Sequence, residues 1–77
     1  MICPRCDNQG LIYRANILNL GITLNICDEC DACWPDTQII DIKNFKDLTV
    51  FLEEHNLTYE ESEIIDLGYI DSTNEIF

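Results

Sequence analysis

A chain of 77 residues has room for one domain, and it buries too small a fraction of its surface for apolar contacts alone to hold it comfortably, so a metal or cross-links are expected to help. The formal net charge is −11, with fifteen Asp and Glu against Arg5, Arg14, Lys43 and Lys46. A surface of that sign repels phosphate backbones and argues against nucleic acid as a partner.

The first cysteine stands at position 3, which leaves no charged and apolar leader ahead of it, and no apolar run is long enough for a bilayer. We therefore expect a cytoplasmic protein with no membrane association and with reduced thiols. After Cys6, Asp7-Asn8-Gln9-Gly10 reads as a turn. Leu11, Tyr13, Ala15 and Ile17 then alternate with Ile12, Arg14 and Asn16, which predicts a strand. Asn19-Leu20-Gly21 supplies a reversal, and Ile22, Leu24 and Ile26 predict a second strand that returns Cys27 beside the first cysteines. Pro35 biases Trp34 toward an extended conformation, and residues 38–42 can form a third strand.

Asn44 reads as a helix N-cap, with Phe45, Leu48, Phe51, Leu52 and His55 making one apolar stripe. The helix is expected to stop near Asn56, with Leu57 folding back on its last turn. In residues 58–77, Thr58 and Glu61 suit a capping box for a short helix ending at Gly68, although Ile64, Ile65, Leu67, Tyr69 and Ile70 also suit strands; we favour the helix. Ile76 and Phe77 are candidates to dock on the hairpin.

Five cysteines are present, and four fall into two pairs with two intervening residues, Cys3-Pro4-Arg5-Cys6 and Cys27-Asp28-Glu29-Cys30. Each tight turn aims two thiolates at one point, and the twenty residues between the pairs form a hairpin that sets one turn opposite the other. The pattern predicts one structural Zn2+ held by Cys3, Cys6, Cys27 and Cys30, with no position left open for a catalytic water. Cys30 with Cys33 is an alternative second pair; otherwise Cys33 is a buried residue beside Trp34 or a redox-sensitive thiol. His55, the only histidine, fits the apolar stripe of the helix better than a metal site. No catalytic motif is present, and we expect no enzyme activity.

These residues resemble the zinc-ribbon class over about residues 1–34, with Asp7 and Asp31 where Gly is usual after each knuckle. The expected fold is a small α+β domain spanning residues 1–77. It comprises an N-terminal zinc ribbon (1–34), a β-hairpin with two cysteine knuckles, and an acidic extension (35–77) carrying one or two helices. A tetrathiolate site also suits iron, so a rubredoxin-like electron carrier is an alternative, as is an adaptor in a larger complex. Together with the charge, Cys3-Pro4-Arg5-Cys6 and the later Cys27-Asp28-Glu29-Cys30-Asp31-Ala32 followed by Trp34 resemble small acidic immunity proteins of contact-dependent inhibition and polymorphic toxin systems. That resemblance implies a monomer that pairs with a basic toxin domain, often a nuclease, and covers its nucleic-acid-binding surface. Glu53, Glu54, Glu60, Glu61 and Glu63 are the candidate contact residues, because residues 47–77 hold nine acids and no Lys or Arg.

Overall fold

The computed structural model describes residues 1–6 and 10–70. Strands β1 (Ile12–Ile17) and β2 (Ile22–Cys27) form an antiparallel hairpin with Ile12 opposite Cys27 and Ile17 opposite Ile22. The turn closes where Leu20 and Gly21 donate their N–H groups to the Ile17 carbonyl, at 3.0 and 2.8 Å, and Gly21 takes the positive φ (64°) that the reversal needs. Strand alternation then divides the side chains. Ala15, Ile17, Leu24 and Ile26 face one way, while Ile12 and Cys27 face the other.

The third strand, β3 (Ala32–Pro35), pairs antiparallel with β2 and not where expected. Residues 38–42 form no strand. Beyond Pro35 the chain leaves the sheet, with Ile39 79% exposed and the Trp34 indole Nε1–H holding the Asp41 carbonyl at 2.9 Å. A two-residue strand β4 (Lys46–Asp47) pairs with β3 and leads directly into the helix α1 (Leu48–Glu54).

The helix starts three residues later than Asn44 predicts, with Asp47 as its N-cap. Residues 46 and 47 are taken by the sheet, Phe45 packs on the cysteine-bearing face, and the Asn44 side chain bonds Asp41 instead. The helix end follows expectation. Asn56 adopts φ 60°, its N–H reaches the Glu53 carbonyl, and the Leu57 N–H reaches the Leu52 carbonyl, so that Leu57 folds onto the core.

Thr58 and Glu61 make the expected reciprocal bonds: Glu61 Oε1 accepts from the Thr58 hydroxyl (2.9 Å) and Thr58 Oγ1 from the Glu61 N–H. They cap a single turn, however. Residues 64–69 are strand β5 (Ile64–Tyr69), antiparallel to β1, in place of the expected helix. The open edge of β1 offers backbone partners that an isolated short helix lacks, and β-branched Ile64 and Ile65 suit the strand. The sheet order is β4-β3-β2-β1-β5, so the hairpin is flanked by β3, which runs across residue 34, on one side and by β5 from the acidic segment on the other. The proposed docking of Ile76 and Phe77 lies outside the described residues, as does Asp7 of the first knuckle.

The core is split by the sheet. Under α1, Leu48, Phe51 and Leu52 pack on Ala15, Ile17, Leu24, Ile26 and Cys33. On the opposite face Cys3, Ile12, Cys27, Ala32 and Trp34 form a second cluster. No helix among the described residues is long and apolar enough to cross a membrane. Leu52 is fully buried and Val50 is exposed on the same helix. Leu52→Ala is therefore expected to cost about 2–5 kcal/mol and Val50→Ala to stay within about 0.5 kcal/mol, read from urea unfolding of the metal-loaded protein.

Candidate metal centre

Two turns carry four cysteines, and both hang from the start of β1. The first turn follows a bridge between Ile2 and Leu11, with the Cys3 N–H on the Gly10 carbonyl and the Ile12 N–H on the Met1 carbonyl, each at 2.9 Å. The second begins as β2 ends. Its Asp28 N–H donates to the Leu11 carbonyl (3.0 Å), and Asp28 Oδ1 accepts the Leu11 N–H (2.9 Å). The Asp28 carboxyl is held below its ordinary value by that backbone bond and by the Tyr69 hydroxyl.

The four Sγ atoms of Cys3, Cys6, Cys27 and Cys30 lie within 4.8 Å of one another. Cys3 and Cys30 are 3.8 Å apart and Cys6 and Cys27 3.6 Å, and no described cysteine is in a disulfide. Four sulfurs bound tetrahedrally at about 2.3 Å, the zinc–sulfur distance, stand about 3.8 Å from each other, so the spacing fits a single ion. Donors are in place as well. The Arg5 N–H points at Cys3 Sγ, and the Glu29 and Cys30 N–H groups point at Cys27 Sγ, all at 3.4 Å, which tempers charge on the sulfurs.

The electrostatics of the site call for a cation. Burial pushes the Cys3 thiol up and the Cys27 thiol up to about 12. At Cys6 burial also raises the value, but hydrogen bonds from Cys27, the Gly10 backbone, Cys3 and Cys30 outweigh it, and the thiol ends below its ordinary range. Two like charges 4 Å apart repel by about 4 kcal/mol at an effective dielectric near ~20, so four bare thiolates cannot share this space. A bound metal ion removes that repulsion and lets all four ionise.

Gly10, Arg5 and Asp31 complete the site in roles that their spacing alone does not assign. A Cβ on Gly10 would collide with Cys27 Sγ and stand 3.0 Å from Glu29 Cβ, so glycine is required there by close approach. Arg5 donates to the Cys30 carbonyl (3.3 Å) and to Asp47 Oδ1 (2.9 Å), and its guanidinium lies 4.4 Å from the centre of the Phe45 ring. Asp31 adopts φ 60°, the conformation for which glycine is usual at that point of a knuckle, and its carbonyl receives the first helical N–H, from Leu48 (2.8 Å).

Cys33 is not part of the cluster. Its neighbours Ala32 and Trp34 face the cysteine site, which turns Cys33 to the helix side, where burial raises its thiol to about 12 beside a cavity of about 90 Å³. The alternative pairing of Cys30 with Cys33 is closed by that alternation. His55 ends α1 with Nδ1 2.9 Å from the Phe51 carbonyl and its ring 4.5 Å from that of Phe51. Glu53, Glu54, Glu60, Glu61 and Glu63 are all exposed, but Glu54 bonds Lys46 at 2.6 Å and Glu61 is occupied by Thr58.

Replacing any one of Cys3, Cys6, Cys27 or Cys30 by Ala is expected to abolish metal binding, whereas Cys33→Ala keeps one ion per chain at a cost of about 1 kcal/mol of stability. Native mass spectrometry and urea unfolding check both. Gly10→Ala is expected to weaken metal binding by about tenfold or more in competition with a chromophoric chelator. Comparison of the chain with protein-family models, with curated proteins and with solved structures gives no match.

Proposed function

We propose that this chain is a zinc-stabilised binding protein for a basic partner, in the manner of an acidic immunity protein that neutralises a toxin nuclease in the cytoplasm. The zinc is structural. Four thiolates fill a tetrahedral shell and leave no position for substrate or water, so the ion's contribution is to the fold, on the order of 10 kcal/mol. Residues 1–34 then act as a ribbon that carries the acidic remainder.

The observation that carries the partner reading is the pairing of the bases. Arg5 is held by Asp47, Arg14 by Asp36 and Lys46 by Glu54, at 2.9, 2.9 and 2.6 Å. Three of the four cations are thus matched within the chain, and among the described residues Asp36, Asp47 and Glu54 alone of the acids stand in an ion pair, in a sequence that carries fifteen acids. Glu53, Glu60 and Glu63 are exposed and lie outside those pairs. Carboxylates of this kind stand in for the phosphates that a basic nuclease surface would otherwise bind, and they speed association.

The metal assignment is checked by native mass spectrometry and absorbance of the protein as purified: one zinc and no colour are expected, whereas a coloured iron site would replace this reading by electron transfer. The partner assignment predicts that Glu53→Lys, Glu60→Lys and Glu63→Lys together slow association with the co-purifying basic protein by about tenfold at low salt and flatten its salt dependence. An unchanged association rate would exclude electrostatic recognition.

A further inference from the structure

Strand β5 is an outer edge of the sheet, six residues long, and no described strand lies beyond it. Its ladder with β1 is closed at the ends by Leu18 N–H on the Glu63 carbonyl and Ile70 N–H on the Ile12 carbonyl. Residues bonded to β1 alternate with residues whose N–H and C=O groups point away, and Ile64, Asp66 and Tyr69 fall in the outward set. The same strand leaves large apolar side chains in the open: Ile65 is 45% exposed, Leu67 55% and Tyr69 57%.

Natural sheets guard such edges with Lys, Pro or a bulge. β5 contains neither Lys nor Pro, and its irregularity falls between Asp66 and Gly68, where Asp66 Oδ1 takes the Gly68 N–H at 2.7 Å. The bulge at Leu67 and negative charge guard this edge together. Glu60, Glu61, Glu63 and Asp66 are exposed along the strand and the turn before it, and Arg14, the base on the neighbouring strand, is turned to Asp36. This distribution repels a second copy of a chain whose net charge is −11, and it attracts a cationic strand.

We propose that the outer edge of β5 is the docking site for an extended, lysine- or arginine-bearing segment of a partner protein, which joins the sheet as an added strand. Backbone bonds to residues 64, 66 and 69 supply affinity independent of side-chain identity, and the acids with Ile65, Leu67 and Tyr69 select alternating basic and apolar residues. This inference rests on the reading of the chain as a binder of basic proteins.

The test uses the full metal-loaded chain, isotope-labelled for NMR, titrated with a short peptide of alternating lysine and valine and, as control, one of glutamate and valine. The lysine peptide is expected to slow amide exchange at Ile64, Asp66 and Tyr69 by about tenfold or more, and the control to have no effect. Glu63→Lys with Leu67→Lys alters two exposed side chains, and this double variant is expected to keep the fold while binding about tenfold more weakly. Perturbation centred on Glu53 and α1 with β5 unchanged would overturn the edge site and leave the basic-partner reading standing. Absence of binding anywhere would overturn the edge site, while the basic-partner reading is decided by the association rates of the Glu53, Glu60 and Glu63 variant. Protection of β5 that grows with protein concentration without peptide would assign the edge to a homodimer and overturn the proposal.

Discussion

The pairing of Ile12 with Cys27 across the hairpin is the constraint on which the rest of the molecule depends. Side chains alternate along a strand, so a slip of one residue would turn Cys27 toward α1 and send Ile26 toward the cysteine cluster. The register also fixes β3 through β2, and with it the choice of which residues of Ala32-Cys33-Trp34 face the sulfurs. One hairpin alignment thus sorts the cysteines into four that meet and one that does not.

The two faces of the sheet meet different physical demands. Toward α1 the sheet buries branched aliphatics under Leu48, Phe51 and Leu52, an ordinary apolar core whose size is limited by a seven-residue helix. Among the described residues no helix covers the other face. Its burial comes from Trp34, the knuckles and the loop that carries Ile40 and Phe45, a cover with few regular backbone bonds of its own. A metal held by the four cysteines would compensate there, because each thiolate–metal bond would tie down a segment that apolar contact alone leaves loose.

The cysteine site and the helix are joined by two contacts at one place. The Asp31 carbonyl, one residue past the second knuckle, receives the first helical N–H from Leu48, while Arg5, inside the first knuckle, holds the N-cap residue Asp47. The Arg5 and Asp47 side chains are about one third and one half exposed, so their attraction is modest, and the buried geometry around them matters more. Whatever fixes the knuckles therefore also fixes where α1 begins, which couples the order of the acidic half to that of the cysteine half.

The sequence by itself determined the local features: the two C-x-x-C turns, the period-two alternation over 11–17 and 22–26, the Leu48, Phe51 and Leu52 part of the helix stripe without Phe45 and His55, and the stop near Asn56. Each of these rests on neighbours within a few residues, on which propensity and spacing act directly. Tertiary structure decided the remainder. Thr58 and Glu61 form their cap as the local pattern says, but the open edge of β1 captured residues 64–69 as a strand. Asn44 is a sound cap in isolation, yet pairing of Lys46 and Asp47 with β3 moved the helix start to Leu48. The contact at Gly10, the ion pair of Arg5 and the closing of the Cys30–Cys33 alternative became visible only once distant segments lay side by side, because close approach, an ion pair 42 residues apart in sequence and the facing of a strand are properties of the assembled sheet.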